Sequence, residues 1–380
     1  MQLPSSMTFA AIETYLEKAC MDNEVLLPTH GKHQAAGAEA ALVQALATWA
    51  NSHQVSTLRT YATSDEDDQI HDLLRRLYGM SACTLADRIE TIGRENISST
   101  VRNAAIRRMR DLAAEAPAAI SRGPQVEIVC ADHLAISAPT SLYTFDDNGM
   151  PVVKPLPAFL ELVERSVLSK LLARSYRRNL PAQFENTLSV SLYELIRNTD
   201  EHGRQDDLGN SRRKSLRGFQ ARKHTLTPKS LSEITAASPP MARYCDRLVP
   251  ARAGNAQVQL IELSVFDSGP GMAASLTGKA LSGLSPNEER SAILRCFEKS
   301  VSRKNASSAG LGLPNLANAM TAVGGFMRVR TGRCALYHDF AEEPSEGYGA
   351  PLQLQDWFER PGQAAAVVGT LFTLLFPLKG

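Results

Sequence analysis

Long apolar runs are missing from this chain. No stretch approaches the ~20 apolar residues that span a bilayer, and the first residues lack a basic segment followed by an apolar run. The expectation is a cytoplasmic protein without membrane contact. Cysteine is sparse. The six cysteines, Cys20, Cys83, Cys130, Cys245, Cys296 and Cys334, include no CxxC pair and fit no common zinc spacing. They read as small core residues in a reducing compartment, which argues against a disulfide framework or a structural metal. Excess charge is missing as well: 41 Lys and Arg against 40 Asp and Glu leave +1, so bulk charge selects no acidic partner. There is no Walker A loop, because Gly278-Lys279 is followed by Ala280 and the upstream glycine is misplaced. No internal repeat is evident.

What is present is an ordinary globular composition, 43% hydrophobic and 21% charged over 380 residues, enough for a sizeable core and for two domains. Residues 35–50, 68–78 and 103–115 carry apolar positions at helical spacing, with Gly79 as a helix stop. Residues 58–62 read as a short strand. A Pro/Gly/Ser-bearing stretch at 116–124 marks a boundary between domains over 1–120 and 121–380. Beyond it, 126–130 predicts a strand and 141–154 a hairpin around Asp147-Asn148-Gly149. Helices are expected over 158–174, 183–202 and 315–323. Strands are expected over 257–266, 326–330, 335–340 and 367–376. Residues 203–254 form a long polar segment, strongly basic over 204–229.

Four patterns carry chemistry. In 191–203, SLYELIRNTDEHG, a helix would stack Glu194 and Asn198 one turn apart, beside the apolar stripe of Leu188, Leu192, Leu195 and Ile196. Glu201 and His202 continue that face. Such a carboxylate can polarise a water, and such an amide oxygen can ligate Mg²⁺. In 265–272, VFDSGPGM, Asp267 ends an apolar strand and can accept a hydrogen bond from an exocyclic amine, while Gly269 and Gly271 let backbone approach a ligand. In 309–313, AGLGL, Gly310 and Gly312 feed a helix N-terminus whose free N–H groups can cradle phosphate. Gly369-Thr370 interrupts the last strand, where glycine implies a close approach. Each pattern taken singly is ordinary: a solvated helix face, an Asp/Gly turn, a flexible loop.

In order they read ExxxN…DxGxG…GxGL…GT, and this resembles the N, G1 and G2 boxes and terminal GT of the GHKL superfamily, the ATPases and kinases of gyrase, the large heat-shock chaperones, histidine kinases and MutL-like repair proteins. The resemblance covers about residues 155–380. Glu194, Asn198, His202 and Gly203 follow the E-x-x-x-N-x-x-x-H-G form of the anti-sigma-factor kinase branch. The resemblance implies that Glu194 is the general base and Asn198 the Mg²⁺ ligand, with His202 in the nucleotide-binding set. It implies that Asp267 binds the adenine amino group, with Gly269 and Gly271 shaping that pocket and Thr370 supporting it. Gly310, Leu311 and Gly312 would close over the phosphates at the end of a mobile lid, 276–308, from which Lys299, Arg303 and Lys304 could reach phosphate.

The implied fold is α+β: a two-layer sandwich of one mixed sheet with helices on one face, preceded by a mainly helical or α/β domain. The implied function is Mg-dependent ATP binding and slow hydrolysis, with lid closure controlling contact with a protein partner. The alternatives are a protein kinase, of the anti-sigma serine type or an unorthodox histidine kinase, and a non-catalytic ATP-sensing interaction module. A homodimer stays open. The 203–254 insert departs from the family pattern. Its Arg212, Arg213, Lys214, Arg217, Arg222 and Lys223 could touch nucleic acid, but a solvated loop is the favoured reading. His71, in HDLL, resembles a phosphoacceptor histidine only superficially; an exposed helix histidine is the simpler reading.

Overall fold

A computed structural model describes residues 2–378 apart from 4–5, 28–31, 34, 63–66, 115–123, 228, 232–237, 250–256, 299–310 and 359–363. The N-terminal part is an α/β layer. Strands β1 (Ser6–Met7) and β3 (Lys32–His33) pair in parallel, as do β2 (Glu24–Leu26), β4 (Thr57–Thr60) and β5 (Arg88–Thr91), in the order β2-β4-β5. Parallel neighbours need crossovers. These are the helix Ala38–Ser52 and the pair Asp67–Leu74 and Leu77–Leu85, with Phe9–Ala19 and Ser98–Ala113 packed around them. The single helix expected over 68–78 breaks at Arg75-Arg76, and Gly79 does not end it. Gly79 lies inside the second helix, where a Cβ would collide with the Leu73 carbonyl oxygen.

The larger sheet has seven strands: β6 (Gln125–Cys130), β9 (Arg217–Leu226), β10 (Val258–Phe266), β11 (Phe326–Gly332), β12 (Cys334–Asp339), β13 (Gln355–Asp356) and β14 (Val367–Pro377), in the order β13-β12-β11-β14-β10-β9-β6. The expected hairpin forms as β7 (Tyr143–Phe145) and β8 (Pro151–Val153). Among the described strands of the large sheet every neighbouring pair is antiparallel, which corrects the mixed sheet anticipated above. The reason is topological. Strands β10 and β11 run the same way, but β14 inserts between them and is antiparallel to both.

Helices cover both faces of this sheet, not one. On one side Ala182–His202 and Gly312–Val323 pack on Ile261, Leu263, Val265, Phe372 and Leu374. On the other, Ala38–Ser52 and Pro239–Leu248 pack on Leu260, Phe266, Phe326, Leu371 and Leu375. The residue pattern of β10 and β14 explains this: both parities carry large apolar side chains, so both faces must leave water. Each fully buried Leu or Phe contributes roughly 1.5–3 kcal/mol.

Strand β9 runs through the insert expected to be a solvated loop. Its cations hid the strand pattern because they are buried in pairs. Arg217, 1% exposed, donates to Asp132 Oδ1 at 3.1 Å, and Arg222 pairs with Glu39 of the helix Ala38–Ser52. Lys214 is likewise internal, 2.5 Å from Asp87 Oδ2 and 2.7 Å from Ser56 Oγ. Arg213 reaches Asp87 at 3.2 Å, and the Lys223 ammonium lies over the Tyr176 ring. No helix among the described residues is long and apolar enough to cross a membrane.

Candidate functional site

The helix Ala182–His202 buries Leu188, Leu192, Leu195 and Ile196 on the sheet and turns Glu194, Asn198 and His202 into a cleft of about 720 Å³. That size suits a small-molecule ligand, for which ~300–1,000 Å³ is usual. Asp267, Gly271, Gly312 and Thr370 line the same cleft. Gly269 and Leu311 do not line it; they sit in the Asp267 turn and at the N-cap of the Gly312 helix. Gly310, Lys299, Arg303 and Lys304 fall outside the described residues. His71 sits exposed on the helix Asp67–Leu74 and does not line the cleft.

One end of the cleft is built on strand ends. Asp267 follows β10, is 9% exposed, and accepts the Gly269 N–H at 2.7 Å. Burial pushes its carboxyl up to about 6, against the backbone hydrogen bonds of Gly269 and Thr370 and the charges of Arg212 and Arg217. The chain around it is too close for side chains. A Cβ on Gly369, at φ +67°, would collide with the Asp267 carbonyl oxygen. One on Gly269 would strike the His202 carbonyl and one on Gly203 would sit 2.8 Å from Asp267 Cβ. The helix end and the Asp267 turn are therefore in direct contact, which fixes His202 beside Asp267.

Thr331, which the sequence did not single out, ties this end together. Its hydroxyl accepts the Met272 N–H at 3.0 Å, donates to the Gly369 carbonyl at 3.2 Å, and lies 3.2 Å from the Thr370 hydroxyl. Nothing in its local sequence marks it; its partners come from two other segments.

At the other end the helix Gly312–Val323 begins against the Glu194 face. A Cβ on Gly312 would lie 3.0 Å from Glu194 Oε2 and 3.8 Å from Asn198 Oδ1. Asn315, one turn into that helix, donates from Nδ2 to Glu194 Oε1 at 2.7 Å. Glu194 is 7% exposed; Asn315 holds Oε1, while Oε2 faces the helix start and lies 3.8 Å from the Arg197 guanidinium. The helix start carries backbone N–H groups without intrahelical partners. Asn315 too was missed, although its place three residues after Gly312 puts it on the same helix face.

Of the expected lid, residues 276–298 are described. They comprise the end of the helix Met272–Thr277, a short turn at Leu281–Gly283, and the helix Pro286–Arg295. This last helix starts with a reciprocal Ser285/Glu288 cap, and its buried Glu289 accepts from Arg333 Nε at 2.7 Å. Leu276, Gly278 and Cys296 line the cleft.

Among the described residues the lining of the cleft is acidic. Glu194, Glu201, Asp206, Asp207 and Asp267 line it, against Arg197 among the described cations. Among the described residues no group of three or more His, Cys, Asp or Glu side chains is placed to hold a metal ion. A site whose metal is shared with a phosphate ligand needs fewer protein atoms, because Mg²⁺ retains several waters. Comparison with family models, with curated proteins and with solved structures finds no match to this chain.

Proposed function

We propose that the cleft binds Mg-ATP and hydrolyses it slowly, in the manner of the GHKL ATPases that the four motifs resemble. The observation that carries this is convergence: Glu194, Asn198, Asp267, Gly312 and Thr370, from four separate segments, line one cleft. Its size and its two differing ends suit a nucleotide, a buried carboxylate at one and a helix start at the other.

In this reading Asp267, ionised at neutral pH, accepts the adenine amino hydrogen, and Thr370 orders the same pocket. The N–H groups at the start of Gly312–Val323 donate to phosphate oxygens. Among the described residues five lining carboxylates stand against Arg197 and would repel a bare triphosphate. The donor set therefore fits a metal-bound nucleotide better than a free one, and Asn198 would offer its amide oxygen. When bound, Mg²⁺ supplies neutralising charge at the phosphates. Glu194, oriented by Asn315, accepts a proton from the attacking water. The lid described by the resemblance would couple nucleotide binding to contact with a partner.

Titration with ATP in Mg²⁺, followed by phosphate release without any protein substrate, tests this. Binding with turnover supports an ATPase. Label transfer to the protein or a partner would redirect the same site to a kinase, and binding without turnover to a sensor. Absence of binding would remove the nucleotide reading.

A further inference from the structure

The floor of the Asp267 end is a break in the sheet. Strands β11 and β14 pair Thr331 with Thr370 and then Gly332 with Val367, which leaves Val368 and Gly369 without opposite numbers. Gly369 finds partners within the site: its N–H donates to the Gly269 carbonyl at 2.7 Å and its carbonyl accepts from Thr331. Val368 finds them in the N-terminal layer. Its N–H donates to Thr48 Oγ1 at 3.1 Å, and its carbonyl accepts from Gln44 Nε2 at 3.3 Å. The same Gln44 amide donates to the Arg330 carbonyl at 3.0 Å, one residue before Thr331. Thr48 donates in turn to the Gln44 carbonyl at 2.9 Å.

Gln44 and Thr48 are 2% and 3% exposed, on a helix otherwise rich in alanine and leucine. Two buried polar side chains, one turn apart, thus clamp the bulge whose next residues are Gly369, against the Asp267 carbonyl, and Thr370. The bulge sets where those residues stand relative to Asp267.

We propose that Gln44 and Thr48 are positioning residues for the nucleotide site, making the N-terminal layer the back wall of the adenine pocket; this rests on the nucleotide reading above. A helix from the first part of the chain then senses whether the pocket is filled. Filling it braces Thr370 and Gly369, and through Val368 the helix Ala38–Ser52.

The test uses the full-length protein and three variants, Thr48→Val, Thr48→Ser and Gln44→Leu, with ATP and GTP competing against a fluorescent nucleotide. Thr48→Val strands the Val368 N–H. ATP should bind about tenfold more weakly and the ATP-over-GTP ratio should shrink by a similar factor, while kcat at saturation stays within about twofold. Gln44→Leu should act likewise, and Thr48→Ser, which keeps the hydroxyl, should restore both quantities. Should Thr48→Val not fold, hydrogen exchange on the unsubstituted protein carries the test: ATP should slow exchange in Ala38–Ser52. A purely structural clamp would lower the melting temperature of the variants yet leave ATP affinity and selectivity within about twofold of wild type, and that result overturns the positioning role. Unchanged exchange in the helix overturns it equally. An unsubstituted protein that does not bind ATP overturns the nucleotide reading and the positioning role together.

Discussion

Replacing Asp267 by asparagine should make the protein more stable at pH 8 and a worse ATP binder. The carboxyl is buried and its pKa rises from the usual 3.8 to about 6. A folded-state value above the unfolded one means that the native protein holds the proton more tightly. The ionised group therefore costs stability once pH passes 3.8, and the full cost is present above pH 6. At ~1.36 kcal/mol per decade that cost is roughly 3 kcal/mol. Asparagine carries no charge and still offers an oxygen to the Gly269 N–H. At ~2.1 cal/mol/K of unfolding entropy per residue, roughly 3 kcal/mol corresponds to a melting temperature higher by about 4 °C in a chain of this length. Scanning calorimetry of both proteins at pH 8 and pH 4 is the assay; the gain should be present at pH 8 and nearly gone at pH 4. In parallel, wild-type ATP affinity should fall about tenfold between pH 8 and pH 5, as the ionised fraction drops, and the asparagine variant should lack that component. An equal shift in melting temperature at both pH values, or a loss at pH 8, would refute the argument that Asp267 is held ionised against its burial.

The other predictions concern turnover and the metal. Glu194→Ala should keep ATP affinity and lose hydrolysis by about 10²–10⁴-fold, read by steady-state phosphate release. Asn315→Ala removes the hydrogen bond to Glu194 Oε1 and leaves the carboxylate with Arg197, 3.8 Å from Oε2; kcat should fall by about tenfold with little change in ATP affinity, since the change removes orientation and not the base itself. Asn198→Ala should weaken ATP binding in Mg²⁺ far more than in EDTA, and calorimetric titration in the two buffers separates the cases.

The strongly periodic segments were legible. The helix Ala182–His202 and strands β10 and β14 lie within two residues of their expected bounds, because their apolar residues recur often enough to set the period. Strand β9 was not legible, since Arg217 and Arg222 look solvent-seeking until Asp132 and Glu39 come near. The second covered face was written in the sequence: the apolar residues of β10 and β14 fall on both parities. What covers it, the helix Ala38–Ser52, is named only by the tertiary fold. Glu194, Asn198, Asp267 and Thr370 stood out because each sits in a short pattern with its own local geometry. Thr331, Asn315 and Gln44 did not, for the opposite reason: each acts through a partner at least 38 residues away, and no local spacing announces it.

Base selectivity of the unsubstituted protein tests the central proposal most directly. Adenine offers an amino group to Asp267 where guanine offers a carbonyl oxygen, so with GTP two acceptors would meet and a buried carboxylate would lose its partner. An unpaired buried group of this kind costs roughly 1–3 kcal/mol, or more when charged. Competition binding of ATP and GTP should therefore show a preference for ATP of at least about tenfold, blunted in Asp267→Asn, whose amide can turn a donor toward the guanine oxygen. Equal affinity of the unsubstituted protein for the two nucleotides would contradict Asp267 as the adenine anchor, and with it the account of this cleft as an ATP site.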